Sequence, residues 1–244
     1  MPKKLVKKEQ LTQANLKNLQ ETFIAITSHK FLSPITVIKW NLELLTESTT
    51  ALSEKDKEKL LDIKNNVQRL DDITKLLLRI YEVATSPSVG SFKNYSPGLI
   101  IDQLLQEYSL LIKQKRLTVI NNVNREDSYH LPGSEYFMRE ILRSIIDNAV
   151  NYNVKEGKLQ IDLTTSAKAV KITLQDTGIG IPEEDQNLIF NPFYRASNVM
   201  KMSFNGNGLG LYMSKMGLNL VGGDIRFSSN PGVGSKFELV FPIL

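Results

Sequence analysis

Over the first third of the chain, apolar residues return at the three- and four-residue steps of a helix. Ile24, Phe31, Ile35, Ile38, Leu42 and Leu45 make one stripe, and Leu16, Leu19, Phe23, Ile26, Val37, Trp40 and Leu44 make a second beside it. This pattern predicts one long helix over about 9–47, closed by the polar turn Glu47-Ser48-Thr49-Thr50. Ser53 then caps a second helix, with Asp56 at the capping-box distance and Leu60, Ile63, Val67, Leu70, Leu77 and Ile80 as its stripe. The two helices form an antiparallel hairpin. Its apolar faces are wider than one partner helix can cover, so a second copy completing a four-helix bundle is expected, with Trp40 in the core. Packing on the rest of the same chain is the alternative.

The helical pattern stops at Thr85-Ser86-Pro87-Ser88-Val89-Gly90-Ser91, a run of turn formers with a proline. The expected organisation is a helical domain over 1–84, a linker over 85–91 and a mixed domain over 92–244. In the last, Ser96-Pro97 opens a helix to about Lys115, Leu117 to Val123 alternates as a strand, and Pro132-Gly133-Ser134 turns into a helix over about Glu135 to Asn153. Strands are expected at Leu159–Thr165, Val170–Gln175, Ile225–Ser228 and Lys236–Val240, and a helix near Gly208. His130 reads as a loop or strand-end residue. The overall class is α+β.

Composition adds exclusions. With 244 residues, 41% hydrophobic and 23% charged, the chain is ordinary for a globular protein of one or two domains. No apolar run approaches the ~18 to 20 residues of a membrane span, so no membrane contact is expected of this chain and the expected location is cytoplasmic. The absence of cysteine removes thiol catalysis, disulfides and thiolate metal sites. The net charge of +4 is located in Lys3, Lys4, Lys7 and Lys8, leaving 30 − 4 = 26 basic against 26 acidic residues. Nothing here argues for nucleic acid. The basic start reads as a solvated helix end, or as the cytoplasmic flank of a membrane segment preceding it.

His29 lies in Ser28-His29-Lys30-Phe31-Leu32-Ser33-Pro34-Ile35, and the apolar stripe centres roughly 200° away from it around the helix. The imidazole is therefore expected to point outward. Pro34 has no N–H for the carbonyl of Lys30, which weakens the helix beside the histidine. This stretch resembles the phospho-acceptor box of sensor histidine kinases: His29, Phe31, Ser33, Pro34 and Ile35 match, whereas Lys30 and Leu32 depart. Lys30 stands where that family places an activating carboxylate.

Four further stretches gain meaning together. Asn148, in Ile146-Asp147-Asn148-Ala149-Val150-Asn151-Tyr152, offers a neutral oxygen suited to magnesium. Asp176-Thr177-Gly178-Ile179-Gly180 ends a strand. Asn205-Gly206-Asn207-Gly208-Leu209-Gly210-Leu211 is a glycine loop running into a helix, where free N–H groups favour phosphate. Pro231-Gly232-Val233-Gly234-Ser235 turns into the last strand. Alone, Asp176-Thr177-Gly178 also suits an aspartic protease, but Ile181-Pro182-Glu183-Glu184 reads as a helix start rather than a protease flap. With Asn187-Leu188-Ile189-Phe190-Asn191-Pro192-Phe193-Tyr194-Arg195, their order resembles the boxes of the histidine-kinase ATP domain.

The resemblance implies a dimeric helical hairpin followed by an α/β sandwich of the Bergerat type that binds ATP and Mg2+. It implies that His29 accepts the γ-phosphate and passes it to an aspartate on a response-regulator receiver domain. Asp176 would take the adenine amino group, Gly178 and Gly180 would admit the base, Tyr152 would flank it, and Asn148 would hold magnesium. Gly206, Gly208 and Gly210 would form the hinge and floor of the ATP lid, and Leu209 and Leu211 would also belong to the ATP site. Ser144 and Asn151 depart from the usual Asn and Lys. Because of Lys30, an alternative is a regulator that binds ATP without kinase activity or favours dephosphorylation, with Ser33 as its water-orienting residue. A chaperone or DNA-repair ATPase, with the hairpin as scaffold, is a third reading.

Overall fold

The computed structural model describes residues 32–46, 53–67, 70, 92–199, 206 and 208–243. The chain divides into two compact units, Met1–Ala84 and Thr85–Leu244.

In the first unit, α1 (Leu32–Thr46) and α2 (residues 54–67, with Leu70 also helical) are the described helices. Ser53 and Asp56 close the expected capping box. The Ser53 amide donates to Asp56 Oδ2 at 2.9 Å, and the Asp56 amide donates to Ser53 Oγ at 3.3 Å. Ile35, Ile38 and Leu42 of α1 share a cleft with Leu70, so the first stripe does face the second helix. Neither stripe is fully covered: Ile35 and Leu42 of the first are 46% and 47% exposed, and Trp40 and Leu44 of the second 70% and 41%, so neither Trp40 nor Leu44 belongs to a core built within one chain.

The second unit is built on a five-stranded sheet in the order β2-β4-β5-β7-β6. Its strands are β2 (Thr118–Asn121), β4 (Lys158–Thr165), β5 (Ala169–Asp176), β6 (Asp224–Asn230) and β7 (Gly234–Pro242). Only β2 and β4 run parallel. Helices α3 (Pro97–Glu107), α5 (Glu135–Asn151) and α7 (Gly210–Leu220) form the second layer, with α5 packed against α3, α7 and the sheet. On α5 the buried residues Phe137, Met138, Ile141, Leu142, Ile145, Ile146, Ala149 and Val150 come in adjacent pairs every four residues. That row meets Leu159, Ile161, Ile172, Leu239 and Phe241 in a core from which water is excluded.

Two departures from the periodicity reading follow from local chemistry. The helix expected to run to Lys115 is split at Tyr108 (φ −87°, ψ 4°) into α3 and α4 (Ser109–Lys115), and the Tyr108 hydroxyl reaches Asp147 of α5 at 3.0 Å. A two-stranded antiparallel ribbon of β1 (Phe92–Tyr95) and β3 (Tyr129–Pro132) was not expected. Each strand has four residues and no alternating apolar run, so the pairing of Asn94 with His130 leaves no local signature.

Candidate functional site

One pocket in the second unit collects most of the residues singled out from the sequence. Its wall is α5, whose Ser134 cap accepts a hydrogen bond from the Phe137 amide at 3.1 Å. Ser144, Asp147 and Asn148 lie along the polar edge of the buried row and line the pocket. Asn151, one turn on, turns its amide back to Asp147 Oδ1 at 2.9 Å, so it braces that carboxylate. Burial raises the pKa of Asp147, and the bonds from Tyr108 and Asn151 work against that rise. The Asn148 carboxamide has no hydrogen-bond partner among the described residues. Lys115 fixes the C-terminal end of the wall, its ammonium donating to the carbonyls of Val150, Asn151 and Asn153 at 3.1, 2.5 and 3.1 Å.

Asp176 ends β5 on the pocket floor. Its Oδ1 accepts from the backbone amides of Gly178 (2.8 Å) and Ser235 (3.2 Å), which leaves Oδ2 without a partner among the described residues. Burial raises its pKa, and the two amides offset part of that rise. The glycines after it are demanded by the protein's own backbone. Gly180 has φ +65°, and a Cβ there would collide with the carbonyl of Asn230. Gly178, which does not line the pocket, sits against the carbonyl of Tyr152. The Ile179 amide donates to that same carbonyl at 3.1 Å, fastening the loop to the end of α5.

The segment from Ile181 to Val199, with the short α6 (Glu183–Gln186), closes the far side. It is buckled by Asp185, a buried carboxylate that accepts from the Tyr194 hydroxyl and from the Ser197 amide and hydroxyl, the last two both at 2.7 Å. These bonds hold the Asp185 pKa below the usual carboxylate value, that from Tyr194 foremost. Tyr194, Arg195 and Asn198 thereby line the pocket. Phe190 packs edge-on to Phe227, which stacks on Phe237 of the pocket floor.

Gly206, Gly208, Gly210 and Leu211 line the side where α7 begins, whereas Leu209 is buried behind them. Gly208 (φ +70°) lies where a Cβ would press on the Phe193–Tyr194 peptide, and its carbonyl accepts from the Phe193 amide at 2.9 Å. The N-cap residue Leu209 makes no side-chain cap bond to α7.

Asn148, Tyr152, Asp176, Gly180, Gly206, Gly208, Gly210 and Leu211 are therefore brought together, and Gly178 and Leu209 stand behind them. His29 and Lys30 lie outside the described residues, as does most of the expected long helix. Ser33 falls in α1 without a described side chain, and Pro34 is buried in the first turn. Ser144, noted as a departure from the family's usual Asn, does line the pocket, whereas the sequence reading did not single out Asp147, Tyr194, Arg195 or Asn198 as lining residues. Asp147 could have been found from its place beside Asn148. Arg195 and Asn198 sit on irregular backbone that carries no period. Among the described residues no cluster of three or more acidic or histidine side chains could hold a metal alone. A cation beside Asn148 would share its shell with ligand oxygens and water.

Residues 19–83 match the model of the His Kinase A (phospho-acceptor) domain, and residues 133–244 match that of the histidine kinase-, DNA gyrase B- and HSP90-like ATPase. The chain is 28% identical over 230 residues to the signal transduction histidine-protein kinase ArlS of Staphylococcus aureus, covering 92% of this chain and 49% of that protein. It thus spans about half the length of the curated relatives it matches. Histidine kinase AdeS of Acinetobacter baumannii shares the fold at a TM-score of 0.61 and 20% identity, covering 88% of this chain and 98% of that one. Histidine kinase ThkA, solved in complex with the response regulator protein TrrA, shares it at 0.64 and 19%, covering 98% and 66%.

Proposed function

The chain belongs to the histidine kinases, having a phospho-acceptor domain followed by their ATPase domain, and from that premise we propose that it is the catalytic core of a two-component sensor kinase. It uses Mg-ATP to phosphorylate His29, within the matched phospho-acceptor span, and passes the phosphoryl group to an aspartate of a response-regulator receiver domain. The observation that carries this reading is the meeting of Asn148, Asp176, Gly180 and the three loop glycines in one pocket of the ATPase-matched unit.

Each residue has work suited to its surroundings. With Oδ1 committed to two amides, Asp176 can only accept through Oδ2, which suits the amino group of adenine. The Asn148 carboxamide, unpartnered among the described residues, fits magnesium, which would neutralise phosphate charge, and the Asp147 carboxylate beside it adds negative potential. Arg195, in the pocket lining, supplies positive charge for phosphate. Catalysis then consists mainly of positioning and charge neutralisation, with His29 attacking through a neutral ring nitrogen. The uncovered Trp40 and Leu44 support a homodimer through the hairpin.

The test is incubation with magnesium and γ-labelled ATP. The expected outcome is an acid-labile, alkali-stable label that is absent from His29→Gln and moves to a receiver domain. Nucleotide binding without label would instead mark a receiver-docking regulator, and free phosphate without label an ATPase.

A further inference from the structure

Asn198 occupies a position that none of the sequence boxes assigns, in the short 3-10 turn Ser197–Val199. Its amide nitrogen donates to the carbonyl of Gly180 at 2.8 Å, which decides the orientation of the carboxamide, because an oxygen could not face that carbonyl. Oδ1 is therefore turned the other way. It is buried, has no hydrogen-bond partner among the described residues, and belongs to a residue lining the pocket. Two anchors hold it there. Gly180 is fixed against Asn230, and the preceding residue, Ser197, is clasped by Asp185 through both its amide and its hydroxyl.

A buried acceptor without a donor costs free energy in the empty pocket and is satisfied by a ligand that brings one. The same pocket holds Asp176, four residues before Gly180, also with an acceptor to spare, while the Ser235 hydroxyl is engaged with that of Ser229. Two spare acceptors in one pocket select a ligand that brings donors. We propose that Asn198 is a specificity-determining residue that accepts a hydrogen bond from an N–H or O–H group of the nucleoside, either the base amino group or a ribose hydroxyl. The inference rests on the nucleotide reading of the pocket. Asp185 acts through it as a positioning residue, and both act on affinity rather than on the phosphoryl group.

The experiment measures the affinities of the full chain and of Asn198→Ala for ATP, 2′-deoxy-ATP, 3′-deoxy-ATP and purine riboside triphosphate, which lacks the base amino group, with melting curves to confirm folding. Asn198→Ala is expected to weaken ATP about tenfold, the value of one hydrogen bond to a buried acceptor. For one of the three analogues the parent's own penalty relative to ATP should shrink toward zero in the variant, and that analogue identifies the donor. An equal loss for all four nucleotides would mean that Asn198 only braces Gly180, and unchanged ATP affinity would mean no contact. Either overturns the inference and leaves the nucleotide reading intact. A folded parent that binds none of the four overturns both.

Discussion

The hydroxyl of Tyr194, on the pocket wall, donates a hydrogen bond to Asp185, nine residues earlier and buried beneath it. One carboxylate thus sets the course of the loop that presents Tyr194, Arg195 and Asn198. In Asp185→Asn one acceptor oxygen would face three donors, so the loop should loosen. Nucleotide affinity is expected to fall about tenfold, with a smaller loss for Tyr194→Phe. The pH dependence has a definite sign. The folded pKa of Asp185 lies below its ordinary value of 3.8, so its stabilisation is present above that value and lost as pH falls through the folded one. The melting temperature of Asp185→Asn should therefore lie below the parent's at neutral pH and approach it in acid. Identical melting and binding would dispose of the clasp.

Asp176 should behave in the opposite way. Burial puts its folded pKa above 3.8, so its favourable contribution is complete below that value and is lost as pH rises through the folded one. At neutral pH the parent carries a buried charge that Asp176→Asn removes, while an amide oxygen still accepts from Gly178 and Ser235. The variant is expected to melt above the parent at neutral pH, with the gap closing toward acid. Its ATP affinity should drop by about 1.5 to 3 kcal/mol, one to two decades, for the lost charge-assisted bond. Calorimetry and melting across pH test both halves, and a variant that binds ATP like the parent would mean the floor has been misassigned.

The hairpin leaves Ile35, Trp40, Leu42, Leu44, Leu61 and Val67 substantially exposed in one chain. A second copy covering them predicts a dimer at micromolar concentration that Trp40→Glu weakens. Sedimentation giving a monomer for the parent would remove the basis for the bundle.

On the proposed phospho-acceptor role of His29, Lys30 stands where a carboxylate would favour the reactive tautomer and stabilise the cation formed on attack. An ammonium can do neither. The missing general-base contribution is typically 10²- to 10⁴-fold. Lys30→Glu is thus expected to label His29 at least about tenfold faster in single-turnover experiments at saturating ATP, a threshold that leaves room for domain positioning to limit the rate. An unchanged or slower rate would make Lys30 an adapted part of the site.

What the sequence disclosed follows the range of the forces involved. The helix after Ser134, the Ser53 cap and the sheet strands rest on signals within a few residues, so local pattern and turn chemistry found them. The glycines were legible as motifs, yet their physical reason was not. Gly180 answers to Asn230 and Gly208 to Phe193 and Tyr194, contacts that exist only once distant segments meet. The same holds for Tyr108, whose departure from helical geometry goes with a bond to a residue 39 positions on. Asp185 and Asn198 were invisible because a folded-back loop has no period, and their partners are chosen by its path.

Lys115 lies on α4, which contributes nothing to the pocket lining, yet its ammonium meets three carbonyls at the end of the helix that does. A helix terminus fastened in this way resists fraying, so the turn bearing Asn148 and Asn151 should open only in larger excursions of the domain. Replacing Lys115 by methionine would convert that turn into an independently opening segment, read as faster amide exchange at Tyr152, whose amide bonds to the Asn148 carbonyl at 2.9 Å, while the core of the sheet stays protected. The local stability of the pocket wall is thus governed from a surface helix outside the pocket lining.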